Sequence, residues 1–223
     1  MTALEQLQAA GDREKAAEMA AYHKGKREFL GVSNPQIDMF VKEWRGAMDV
    51  AERVALADML WQSNLHEARV AAAKLLIQAR IKPDDQPAWD LIKSWVPDFD
   101  AWAIADHAAS AGSRRLVANS SRLNDVAQWA KSDHMWSRRA ALVMTLPWAK
   151  LNYLSEQQNH ERERILGWAA EYVVDSEWFI QKAIGWWIRD LSKHDPSRAR
   201  EFLAIHGENM KPFAAKIAGK YLA

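Results

Sequence analysis

Apolar residues recur at helical spacing along almost the whole chain, and runs of β-branched residues are nearly missing. That periodicity is the strongest constraint on the fold, because a 3.6-residue stripe is buried by helix packing and not by a sheet. The punctuation is helical as well. Asn34-Pro35 reads as an N-cap followed by proline at the first helical position, opening a helix towards Gly46. Pro97-Asp98-Phe99-Asp100 supplies cap acids before AWAIADHAASA, with Gly112 placed to close that helix. Asp175-Ser176-Glu177 precedes WFIQKAIGWWIRDL, and Asp195-Pro196-Ser197 opens another helix. The pattern predicts roughly 12 helices joined by short turns. The expectation is one all-α domain spanning residues 1–223.

Within that helical pattern, four segments share a basic or polar residue followed by an alanine-rich stretch. They begin at Arg69, Trp102, Arg139 and Lys182, at intervals of 33, 37 and 43 residues. Such intervals suit one helix pair per repeat, near the HEAT or armadillo period of about 40. Alanines let neighbouring helices approach closely, as stacked pairs require. A stack of HEAT-like pairs curves into a solenoid, and matching positions of the four segments would face its concave groove. A plain bundle of alanine-rich helices is the alternative.

Composition narrows the chemistry. With no cysteine, thiolate zinc sites, disulfides and cysteine nucleophiles drop out. There is no GxGxxG, phosphate loop, HExxH or GxSxG, and the seven histidines are isolated along the chain, so no metal site is expected. No apolar run is long enough for a membrane span. The first twenty residues read as an amphipathic, acid-bearing helix and not as a secretion signal, which makes a cytoplasmic location the expectation. A net charge of +1 argues against a strongly basic protein but not against a local basic face. Twelve tryptophans are an unusual number for this length; most, such as Trp61, Trp129 and Trp168, are expected to fill core.

A few fall at spacings that suggest more. Trp102 and Asp106 are four apart, on one face of a helix. Lys182, Trp186 and Arg189 lie at i, i+4, i+7, a stripe of cation, ring, cation. Arg138 and Arg139 follow Trp136 at the start of an alanine-rich helix. Aromatics interleaved with Arg and Lys suit nucleic acid, where cations meet phosphates and rings stack. A carboxylate beside DNA costs repulsion, and catalysis is one reason to keep it. Read one at a time, Trp102 as core, Asp106 as a surface acid, and Lys182 and Arg189 as a solvated face stay open.

These residues also resemble the AlkD-like DNA alkylation repair family, HEAT-like-repeat DNA glycosylases. Trp178-Phe-Ile-Gln-Lys-Ala-Ile-Gly-Trp186-Trp-Ile-Arg189 is similar to that family's FIQKAIGW-x-x-R signature. Trp136-Ser-Arg-Arg139-Ala-Ala is similar to its W-x-x-RAA segment. Trp102-x-x-x-Asp106 is similar to the W-x-x-x-D of its catalytic helix, without the tandem tryptophan that often precedes the acid. Met19-Ala-Ala-Tyr22 and Phe29-Leu-Gly-Val-Ser-Asn-Pro35 resemble its N-terminal element.

The resemblance implies hydrolysis of the N-glycosidic bond of N3-alkyladenine or N7-alkylguanine in double-stranded DNA, leaving an abasic site, without cofactor or metal. It assigns Asp106, Trp102 and Trp186 to catalysis. DNA contact would fall to Arg139, Lys182 and Arg189, with Tyr22 and Arg138 as further contacts. A monomer away from membranes is the default. A catalytically silent relative that binds damaged duplex, and a HEAT scaffold for a protein partner, are the alternatives.

Overall fold

The computed structural model describes residues 1–24 and 27–222, and among these every regular element is helical. The chain forms two compact units, residues 1–118 and 119–223.

The first unit holds α1 (Ala3–Ala9), α2 (Arg13–His23), α3 (Asn34–Ala47), α4 (Val50–Gln62), α5 (His66–Leu75), α6 (Gln86–Trp95) and α7 (Trp102–Ala118). The stretch expected as one opening helix is therefore two. A capping box on Thr2 starts α1, and the Asp12 carboxylate accepts from Glu14 and Lys15 to start α2. The break is fixed by the FLG element, since Asp12 N–H donates to Leu30 O at 2.8 Å. Gly31 makes that approach possible. Its φ is +79°, and a Cβ there would run into the Asp12 carbonyl and lie 2.8 Å from Ala16 N. Glu67, wholly buried on α5, holds the same loop by accepting from Leu30 N–H at 2.9 Å and Gly31 N–H at 2.8 Å.

Two boundaries differ from expectation. The cap of α3 is Ser33, paired with Gln36 in a capping box, so Pro35 is the second helical residue. Gly112 does not end α7, which runs on to Ala118. A helical glycine costs about 1 kcal/mol against alanine, and the turn after it anchors more than that. Leu116 is buried, and the buried Arg115 donates to Asp85 at 2.8 Å and to the carbonyls of Gln78 and Ala79.

The second unit holds α8 (Leu123–Ala130), α9 (Met135–Met144), the single-turn α10 (Leu146–Ala149), α11 (Glu156–Glu171), α12 (Trp178–His194), α13 (Pro196–His206) and α14 (Pro212–Ala218). The glycine of the signature, Gly185, lets α14 lie close: a Cβ there would sit 3.0 Å from Ala214 O.

The alanine-rich segments are α5, α7, α9 and α12. Within the first unit α5 packs on α7, and within the second α9 packs on α12, each against the neighbouring segment of the series. α4 pairs with α5, α6 with α7, and α8 with α9, which is a helix-pair repeat. Seven tryptophans are buried, including Trp61 and Trp168; Trp129, expected in the core, is half-buried. Trp61 stacks on Trp95 with ring centres 4.3 Å apart.

Candidate nucleic-acid interface

Trp102 is the first residue of α7, and Asp106 stands one turn further on, so a rise of about 6 Å separates their Cα positions. Both are half-buried. The Asp106 carbonyl accepts from Ser110 Oγ at 2.9 Å, which extends the polar side of the same helix face. Trp102 is held by rings from α2. Tyr22, 71% exposed, meets it edge-on at 6.0 Å, and His23 lies against it at 5.1 Å.

The histidines are not isolated in space as they are in sequence. His23 is 4.7 Å from His66, which stacks on Phe29 at 4.3 Å. With Trp102, His107, Asn34 and Glu67, both imidazoles line a cavity of about 120 Å³. Burial pushes His66 down to about 3, with His23 and Arg27 adding to the shift. Burial also lowers His107 to about 4, helped by Lys74, and lowers His23. At neutral pH this ring cluster therefore carries no positive charge. Among the described residues no group of three or more His, Asp or Glu is arranged to hold a metal ion.

α7 also borders a cleft of about 560 Å³ that Lys42 and Arg45 of α3, Lys74 of α5, Asp38, His107 and Ser110 line. Three cations face one carboxylate there, Asp38, which takes Lys74 at 2.7 Å. A further concavity of about 800 Å³, between α4 and α6, shares no residue with either feature.

In the second unit, α12 presents Trp178, Lys182, Trp186 and Arg189 along one side. Trp178 is 46% exposed and stacks on Phe213 at 5.6 Å. The Lys182 ammonium lies between two indoles, 4.6 Å from the centre of Trp178 and 5.1 Å from that of Trp186. Of the tandem pair, Trp186 keeps part of its ring at the surface, whereas Trp187 is 0% exposed.

The arginines are placed differently from the expectation that matching repeat positions present their side chains to an open groove: Arg69 and Arg139 are both buried. Arg139 is 1% exposed: its guanidinium sits over Phe179 and Trp186, and Nη1 donates to Phe179 O at 2.9 Å. Arg69 does the same in the first unit, over Trp61 at 4.5 Å and donating to Trp61 O. A planar, weakly hydrated cation can stack on an aromatic ring and cap a carbonyl at once, so both arginines tie their helices to a neighbour instead of meeting solvent. Arg138 is committed to Asp175 at 3.0 Å and to the carbonyls of Ser132 and Asp133. Arg189 grips Asp190 Oδ1 through two nitrogens at 3.1 and 2.9 Å. Lys182 is thus the cation of this face whose contacts are rings. Sequence reasoning had Trp178 only as the start of the signature stretch and missed its stacking on Phe213 and the histidine cluster, since those partners come from other helices.

The family profile described as DNA alkylation repair enzyme matches residues 3–222. The chain belongs to that family. Its fold is shared with a protein from Enterococcus faecalis described as a predicted DNA alkylation repair enzyme, with 24% identity, a TM-score of 0.80, and 96% of this chain and 97% of that one covered. It is also shared with AlkD2 from Streptococcus mutans, at 19% identity and a TM-score of 0.61 over 94% and 98% of the two chains. Smu.31 from Streptococcus mutans UA159 matches at 19% identity with a TM-score of 0.62 over 97% and 100%. At such identities the likeness concerns the fold. No curated protein matches the chain. No helix among the described residues of this family member is long and apolar enough to cross a membrane.

Proposed function

We propose that the protein is a monofunctional glycosylase that hydrolyses the N-glycosidic bond of cationic alkylated purines, N3-alkyladenine and N7-alkylguanine, in duplex DNA and leaves an abasic site. The observation that carries this reading is the pairing on α7 of a partly open indole with a carboxylate one turn away, cradled by Tyr22 and a neutral His23. A base alkylated at these nitrogens is positively charged and leaves without a general acid. Breaking its bond develops oxocarbenium charge on the sugar, which a fixed carboxylate stabilises while it orients the attacking water. Asp106 has that role. The leaving group's own charge removes the need for a metal or cofactor, and the protein acts as a cytoplasmic monomer.

Charge separates the two units' tasks. Among the described residues the rings against Trp102 are those of Tyr22 and His23, with Asp106 one turn along α7, which suits a cationic base by cation–π attraction worth about 0.5–2 kcal/mol. Trp186 already has Lys182 and Arg139 within 5.1 Å of its ring centre, which suits the sugar and anionic backbone of DNA. Lys182 meets phosphate, as do Lys42 and Arg45 beside α7; Arg139 acts by holding Trp186. Arg189 and Arg138 reach DNA only by leaving Asp190 and Asp175.

The test is base release from N7-methylguanine duplex by wild type and Asp106→Asn. Wild type should release base and the variant should bind without turnover. Lesion binding with no release by wild type would mean a silent damage-binding relative instead. Binding that ignores salt between about 50 and 200 mM would point to a protein scaffold.

A further inference from the structure

We propose that His23 is a positioning residue that holds Trp102 and Tyr22 in place for a cationic base, and that it does so as the neutral imidazole. This rests on the glycosylase reading and adds to it the residue that makes recognition depend on acidity. His23 touches both outer rings, Tyr22 at 5.0 Å edge-on and Trp102 at 5.1 Å, and backs onto His66 and Phe29 at 4.7 and 5.7 Å. It is the ring through which the buried stack reaches the exposed one.

Its Nδ1 is enclosed and has no hydrogen-bond partner among the described residues. A proton there finds no ready acceptor. Glu67 lines the same cavity, but its two oxygens are engaged by Leu30 N–H and Gly31 N–H. The other titratable groups facing the cavity are His66 of α5, influenced by Arg27 and Asp100, and His107 of α7, influenced by Lys74 and Asp38. Burial lowers all three imidazoles, holding His66 at about 3 and His107 at about 4; His23 is the one that touches both Tyr22 and Trp102, so charge gained there on acidification falls against those rings. Protonated, it sets a cation against the ring that must accept a cationic base, and the two repel.

The experiment uses the full chain carrying Asp106→Asn, to suppress turnover. Binding is compared for duplexes holding N7-methylguanine or 7-methyl-7-deazaguanine, which has the same shape without the charge. Preference for the charged lesion should fall about tenfold from pH 7 to pH 5. His23→Phe, which keeps a flat ring and cannot titrate, should hold the preference flat; His23→Ala should lose it at both pH values. A parallel fall in His23→Phe, or full preference in His23→Ala, overturns the proposal. In the unliganded wild type, the Trp102 indole N–H resonance (assigned through Trp102→Phe) should follow the acid titration and stay still in His23→Phe; a fixed resonance in wild type also overturns it. If wild type releases no base, the glycosylase reading fails, while the resonance and the preference ratio still decide the role of His23.

Discussion

The buried histidine at position 66 makes the first unit acid-labile by a calculable amount. His66 lies almost wholly out of water on α5, stacked on Phe29, and burial holds its imidazole at about 3. Unfolded, the same side chain titrates near 6.5. A depressed folded value means that the unfolded chain binds the proton more readily, so the stability this group permits is complete above pH 6.5 and is lost as pH falls. Linkage over those two values gives a loss of about 2 kcal/mol between pH 7 and pH 5 from His66 alone. His107, at about 4 but partly exposed, adds a smaller loss of the same sign. Urea denaturation followed by far-UV circular dichroism at the two pH values reads the sum. His66→Phe keeps a flat ring against Phe29 and removes the titration, so its stability difference between pH 7 and pH 5 should shrink by about 2 kcal/mol, whatever its stability at pH 7. The reasoning is refuted if variant and wild type lose the same stability on acidification.

Asp106→Asn should lower single-turnover base release by about 10²–10³ and leave duplex affinity within a few-fold, read by base release and by fluorescence anisotropy with labelled DNA. Lys182→Ala should weaken binding evenly across sequences and reduce the salt slope by about 1; an unchanged slope means that the ammonium meets no phosphate. Trp187→Ala should cost about 3–5 kcal/mol in urea denaturation, whereas Trp186→Ala should fold near-normally and bind DNA less well; the reverse pattern would show that the surface ring has been misidentified. Gly31→Ala should destabilise by about 2 kcal/mol or more, because alanine at φ +79° is strained and its Cβ meets the Asp12 carbonyl.

Periodicity made the helices, their pairing and the four alanine-rich segments legible, because the 3.6-residue stripe and the helix-pair interval are written directly along the chain. Boundaries were less legible where a distant contact outweighs local preference. Gly112 looks like a stop, yet Arg115 and Leu116 bury themselves beyond it; the opening stretch looks continuous, yet Leu30 and Gly31 reach back and break it at Asp12. The site divided in the same way. Trp102 and Asp106 could be paired from spacing because they share one helix. Trp178 with Phe213, and His23 with His66, could not, since each pair joins two helices far apart in sequence.

Arginine was the least legible residue type. On a sequence, Arg69, Arg138, Arg139 and Arg189 look alike, four cations near the starts or faces of repeat helices. In the fold, two are buried over indoles and two are chelated by carboxylates. Their charge is spent on holding helices together, which is one reason why a net charge of +1 is a poor guide to what the surface offers. What reaches the surface is sparser and more local. In the first unit Asp106 stands one turn from an indole that Tyr22 and His23 lie against, and in the second a lysine lies between two indoles. If recognition of a charged lesion depends on that local arrangement, neutralising remote surface cations should change the rate of DNA encounter while leaving the preference for charged over uncharged lesions intact. Changes at His23 or Trp102 should alter that preference and leave the encounter rate alone.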